Sequence, residues 1–216
     1  DTCVCVSSFG SLAHFKPENA PKGATGYCLD GCPAAEQCPY YAPRFYLEHP
    51  RADDDGFVDV VTTDHSRMGI LNALRTGPYG RCVYHCGNNV VDHQVVNMKF
   101  SGSATANLVM AAFTKDCHRT IDIMGTAGEL TGDMEANIIT LMPFLAKEPV
   151  VLHPQSVDIP GYYHGGGDYC LIRDFVAAVR DNDDTRNRTS AQRSLQAHLM
   201  CFAAECARLE GRVIEL

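Results

Sequence analysis

The densest run of residues able to do chemistry is Tyr163-His164-Gly165-Gly166-Gly167-Asp168, opening into the helical pattern Leu171-Ile172-Arg173-Asp174-Phe175-Val176. Successive glycines let a backbone approach a ligand closely. The helix start behind them offers free N–H groups to an anion or an oxygen-rich ligand, with His164 and Asp168 alongside. A plain turn with Asp168 as helix N-cap is the alternative. A second group lies in residues 77–93, GPYGRCVYHCGNNVVDH. There Tyr79, Arg81, Asp92 and His93 could hydrogen-bond a polyhydroxylated ligand, a few polar groups sufficing to fix its orientation. The alternative is a polar turn leading into a strand. The third group is Cys28, Cys32 and Cys38, in a loop rich in Gly and Pro where no apolar periodicity explains them. Zinc takes four soft ligands in a tetrahedron. His14, Cys82 or Cys86 could be the fourth, and free thiols packed under a loop are the alternative.

Several chemistries are excluded by missing partners. No G-x-G-x-x-G occurs, and the nearest approach, Gly165-x-Gly167-x-x-Cys170, lacks the third glycine. Asp168 stands where a Walker A lysine would follow Gly167. His164-Gly165-Gly166-Gly167 matches the oxyanion-hole string of esterases, but no Gly-x-Ser-x-Gly elbow follows it.

The elements that must position these groups follow from periodicity. Residues 2–9 read as a strand, residues 16–31 as a loop punctuated by Pro and Gly, and residues 42–48 as a short helix. Residues 51–59 read as an acidic loop, and Met68, Leu71 and Leu74 recur at helical spacing. Period-two patterns begin at residue 93, where Val96, Met98 and Phe100 share a face opposite Asn97 and Lys99. Four more strands follow, over residues 105–112, 119–124, 129–134 and 137–142, joined by short turns. Residues 150–160 read as irregular. Residues 169–180 form a helix. A second helix, capped by Thr189 or Ser190, carries Leu195, Leu199, Phe202, Cys206 and Leu209 as its stripe, and residues 212–216 return as a strand. Strands followed by helices predict an α+β fold. Its large, mainly antiparallel sheet would carry helices on one face and leave the other open.

Composition sets the outer limits. The chain has 216 residues, 45% of them hydrophobic, and a net charge of −8, so the basic footprint of a nucleic-acid binder is missing. Apolar runs are too short for a membrane span. Eleven cysteines, an odd number without a secretory signal, predict free thiols in a reducing cytoplasm. Cys3, Cys5, Cys117, Cys170, Cys201 and Cys206 fall within periodic segments and are expected to act as small buried hydrophobes.

Seven segments in order carry a resemblance. They are Ser7-Ser8-Phe9-Gly10-Ser11-Leu12, His14-Phe15-Lys16-Pro17-Glu18-Asn19-Ala20-Pro21, Cys38-Pro39-Tyr40, the run from Gly77 to Tyr84, Val90-Val91-Asp92-His93-Gln94, Gly125-Thr126-x-Gly128-Glu129-Leu130-x-Gly132-Asp133 and His164-Gly165-Gly166-Gly167-Asp168. Together they resemble the C-terminal part of the Gfo/Idh/MocA family of glucose–fructose oxidoreductase and inositol dehydrogenase relatives. The resemblance implies that residues 1–216 are the substrate-binding and oligomerisation domain of an NAD(P)-dependent oxidoreductase. A Cys-containing insertion would occupy about residues 16–66, and the Rossmann domain would be absent. It implies a sugar, cyclitol or polyol substrate, and homo-oligomers built through the open sheet face. Tyr79, Arg81, Asp92, His93, His164 and Asp168 would line the pocket and orient the substrate, with His164 the participant in proton transfer. No catalytic or cofactor-binding residue is assigned here: Phe15 precedes Lys16-Pro17, so the family's Glu-Lys-Pro is missing, and Asp92 and His93 are adjacent on a strand rather than on the family's helix. NAD(P) is expected in the intact parent enzyme and not on this chain alone. The alternatives are a non-catalytic partner that assembles through its sheet, or part of an NAD-dependent glycosidase of the same family.

Overall fold

Strand β1, Cys3–Ser11, carries Val6 and Ser8 inward and Cys5, Ser7 and Phe9 outward, the alternation that a one-sided sheet requires. It pairs antiparallel with β2, His93–Phe100, in a register that sets Ser11 opposite His93 and Val6 opposite Met98. β2 turns through Ser101–Ala104 into β3, Thr105–Ala111, with Ser103 at positive φ. The computed structural model describes residues 1–48, 58–115, 117–154, 166–183 and 190–216. These fall into two units, residues 1–113 with 195–216, and residues 114–194.

The first unit holds the sheet β3-β2-β1-β8, with β8 the short strand Ile214–Glu215. Its inner face packs on the C-terminal part of a long helix, Ala191–Glu210. Cys3, Val6 and Val96 meet Ala203 and Ala204 there, and Met98, Phe100, Met200 and Ile214 close the edges. Small alanines allow the helix to approach the sheet closely. The stripe picked out by spacing is therefore not the buried one. Ala203, Ala204 and Ala207 are buried, whereas Leu195, Leu199, Phe202 and Leu209 are exposed. The cysteines divide in the same way: Cys3 is buried, Cys5 and Cys170 are half-buried, and Cys117, Cys201 and Cys206 are exposed. All eleven are free thiols. On the outer face of the sheet Asn107 donates to Asn97, and Asn97 to Ser7, in a polar row.

The cysteine-bearing segment has a small core of its own. Two helices build it, Ala42–Leu47 and Arg67–Thr76, the second capped by the Ser66 hydroxyl accepting from the Gly69 N–H at 3.0 Å. Cys28, Ala42, Val58, Ile70 and Leu74 are buried together, Leu74 completely. The 3₁₀ turn Pro78–Gly80 then folds back on the second helix. A Cβ at Gly80 would lie 1.7 Å from the Leu74 carbonyl oxygen, so only glycine fits.

The second unit holds β4 to β7, Thr120–Met124, Gly128–Asp133, Ile138–Pro143 and Val150–Leu152, as an antiparallel meander. Residues 150–152, expected to be irregular, pair with β6 because Val150 and Leu152 continue its apolar face. A helix of this unit, Gly167–Asp181, starts from Gly166 at φ 81°. Gly166, not Asp168, is its N-cap, because a left-handed cap favours glycine. The architecture is α+β, with the described strands shared between two four-stranded antiparallel sheets. Residues 51–57 and 155–160 of the expected loops lie outside the described residues. Among the described residues no helix is long and apolar enough to cross a membrane.

Replacing Gly80 by Ala should lower stability by about 3 kcal/mol, because the Leu74 carbonyl must move. Gly26→Ala, where nothing lies within 4 Å, is the control and should be near neutral. Urea midpoints of the two variants check this.

Candidate functional site

The chain leaves β1 through Ala13, His14 and Phe15, at the same end of the sheet where β2 begins. Asp92 sits between them. Its N–H donates to the Ser11 carbonyl at 3.0 Å, and its carbonyl accepts from the Ala112 N–H at 2.8 Å, so its backbone joins three strands. Its side chain is only 2% exposed. One carboxylate oxygen accepts the N–H groups of His14 at 2.7 Å, Ala13 at 2.9 Å and Phe15 at 3.4 Å. The other meets His93 Nδ1 at 2.9 Å. Burial alone would raise this carboxyl's pKa, but the hydrogen bonds from His14, His93, Ala13 and Phe15 outweigh it and hold the carboxyl well below the usual carboxylate range.

This contact also defines His93. An ionised carboxylate only accepts, so His93 donates its Nδ1–H to Asp92, and in the neutral imidazole Nε2 is then the acceptor. The His93 side chain is partly exposed. Beside it stands an aromatic group centred on His14, whose Nε2 lies 3.1 Å from the buried Tyr84 hydroxyl. The rings of Phe15, Tyr40, Tyr84 and Phe113 surround His14 with centroids 5.1 to 5.7 Å away. Phe113 is half exposed, stacks on Phe15 and lies 6.4 Å from the His93 ring. Burial, followed by the neighbouring Tyr40, Cys38 and Cys82, pushes the Tyr84 phenol up and keeps it neutral. The patch thus offers an oriented imidazole lone pair next to accessible ring surface. That pairing suits a ligand with hydroxyls on one edge and C–H groups on a face.

Behind the patch lies the thiol group. Residues 26–28 and 80–82 form an antiparallel strap: the Cys28 N–H donates to Gly80, and the Cys82 N–H to Gly26, both at 2.9 Å. The strap sets Cys82 opposite Gly26 and Cys28 opposite Gly80. Cys28, Cys32, Cys38 and Cys82 line a cavity of about 20 Å³ together with Tyr40 and Tyr84. The Ala42 N–H points at Cys28 Sγ, 3.5 Å away. Burial pushes the Cys28 thiol up, the Ala42 contact opposing it. At Cys32 burial also acts upward, but the N–H groups of Thr25 and Ala34 outweigh it and the net shift is downward. Among the described residues, Cys28, Cys32 and Cys38 included, no group of three or more His, Cys, Asp or Glu side chains could hold a metal ion.

Of the other expected site residues, Tyr79, Arg81 and Asp168 are described and His164 is not. Tyr79 is exposed and packs edge-on to Tyr46. Arg81 is an exposed residue of the strap. Asp168 lies in the first turn of the Gly167–Asp181 helix, in the second unit. His164 lies outside the described residues. Conversely, His14, Phe15, Tyr84 and Phe113 were not singled out for this patch. Their signal was positional, with His14-Phe15 just past β1 and Phe113 just past β3.

No family model matches the chain, and no curated protein matches it. Among solved structures, an oxidoreductase domain protein from Kribbella flavida is similar over 59% of this chain at 19% identity, with a TM-score of 0.49. This chain spans 38% of that protein's length. A likeness at this level assigns neither activity nor ligand.

Asp92→Asn should cost about 2 kcal/mol, since one acceptor is replaced by a donor facing N–H groups. Because the folded carboxyl is depressed, its contribution is full above the unfolded value of about 3.9 and is lost as pH falls through the folded value. The gap between wild type and variant should therefore be constant from neutral pH to about 4 and narrow below it. Denaturant titrations across that range check it.

Proposed function

We propose that this chain is the substrate-binding part of an NAD(P)-dependent oxidoreductase acting on a sugar, cyclitol or related polyol. The observation that carries the ligand class is the His93 imidazole, held by Asp92 beside the rings of Phe113 and Phe15. A ring-shaped polyol presents hydroxyls to His93 Nε2 and its C–H face to Phe113. The ordered motifs from Ser7 to Asp168 support the oxidoreductase class. In the intact enzyme a carbinol carbon would give its hydride to the oxidised nicotinamide and its hydroxyl proton to a base, leaving a carbonyl. The role assigned to His93 is orientation. The nucleotide cradle would come from a separate Rossmann unit, since these residues hold no glycine fingerprint.

The reading extends to homo-oligomers through the β4–β7 sheet. Its register places Ile121, Ile123, Leu130, Ile139, Leu141 and Leu152 on one face, and Ile121, Ile123, Leu141 and Leu152 are exposed there. Apolar surface of this extent favours association.

The test is an amide-detected NMR titration of the chain with myo-inositol and with glucose, alongside NADH fluorescence. The expected result is a polyol-dependent shift at His93 and Phe113, weakened at least about ten-fold by His93→Ala, roughly the worth of one good hydrogen bond. No NADH quenching is expected. A chain that binds NADH, or that shows no response to any polyol, would overturn the reading.

A further inference from the structure

We propose that His93, held by Asp92, is the base that takes the hydroxyl proton of the ligand. This goes beyond the orienting role given to it above and rests on the polyol reading of the same patch. Two features set the pair apart from a surface ion pair. First, the Asp92 side chain is 2% exposed and the His93 side chain 43%, so the carboxylate is sheltered from water while the imidazole is partly open to it. Second, the N–H groups of Ala13, His14 and Phe15 fix one carboxylate oxygen, and the other then has a set place from which to accept the His93 Nδ1–H at 2.9 Å. These donors favour the anion. A proton gained at Nε2 therefore stays on the imidazole, and the carboxylate stabilises the cation that forms. The neighbouring His14 is less suited, because its Nε2 is engaged with the Tyr84 hydroxyl at 3.1 Å.

The strand register shapes the approach to this base. His93 sits on the outer face of β2, between Ser11 of β1 and Ala111 of β3. Both neighbours are small and exposed, so neither side chain is large enough to roof the imidazole. The next row of that face is Phe9, Val95 and Val109, with Phe9 and Val109 well exposed. His93 thus stands between this apolar row and the Phe113 ring, 6.4 Å away. A ligand whose C–H surface rests on these groups brings a hydroxyl to Nε2 and displaces water from beside it. In the step assigned to His93 the ligand O–H bond breaks and the proton bonds to Nε2. The O–H electron pair becomes the second C–O bond as the carbinol carbon gives up its hydride to an oxidised nicotinamide. The imidazolium keeps its Nδ1–H on Asp92 and returns the Nε2 proton to water.

Two measurements on the chain test this. Long-range proton–nitrogen NMR, under conditions where the imidazole is neutral, is expected to show His93 as the Nδ1–H tautomer. Acylation by diethyl pyrocarbonate, followed peptide by peptide in a mass spectrometer, is expected to reach His93 faster than His14. Asp92→Asn should slow acylation of His93 at least about ten-fold, because the ring loses both its tautomer and its counter-charge. A wild-type His93 in the Nε2–H tautomer, or one no more reactive than His14, would overturn the proposal without reference to any variant. So would an unchanged rate at His93 in folded Asp92→Asn. Neither measurement needs a polyol, so the base assignment and the ligand titration above fail separately.

Discussion

The buried Asp92 carboxylate is the contact on which the rest of the site depends. It gathers the N–H groups of Ala13, His14 and Phe15, which would otherwise be unpaired where the chain leaves the sheet. The same group turns the adjacent imidazole, fixing which nitrogen of His93 is the acceptor. A neutral side chain could not serve both purposes. The charge is tolerated because four donors face it, and each is stronger for being directed at an anion in a buried setting.

A second constraint holds the wall behind that patch. The strap between residues 26–28 and 80–82 forms only because Gly80 lets the chain pass against Leu74, the most deeply buried residue of the small core. From the strap, Tyr84 runs back to His14, and Cys82 to the thiol cavity. The thiol cavity and the aromatic patch therefore share Tyr40 and Tyr84 as a common wall. Sequence separation conceals this, since His14 and Tyr84 are 70 residues apart.

Much of this was legible in the sequence where local periodicity governs. The alternation of Val96, Met98 and Phe100 against Asn97 and Lys99 gave β2 its faces, and the helix over residues 169–180 was bounded nearly where it lies. Legibility ended where tertiary packing chooses between equivalent surfaces. On the last helix the large residues Leu195, Phe202 and Leu209 outweigh Ala203, Ala204 and Ala207 in any hydrophobic pattern, yet close approach to the sheet selects the alanines. Val150–Leu152 was too short to declare itself a strand without its partner β6. At the site, Asp92 and His93 were visible as residue types. Their hydrogen bond and the ring cluster from residues 14, 15, 40, 84 and 113 depend on long-range contacts that no spacing rule encodes.

If the Asp92 carboxylate organises this end of the sheet, the N–H groups of Ala13 and His14 must be as hard to expose as the β1–β2 ladder itself. Native-state hydrogen exchange measures this residue by residue. The account predicts protection at Ala13 and His14 matching that of Val6 and Val96, although both residues lie beyond the last residue of β1. Exchange at these two amides as fast as in an unprotected surface loop would contradict it.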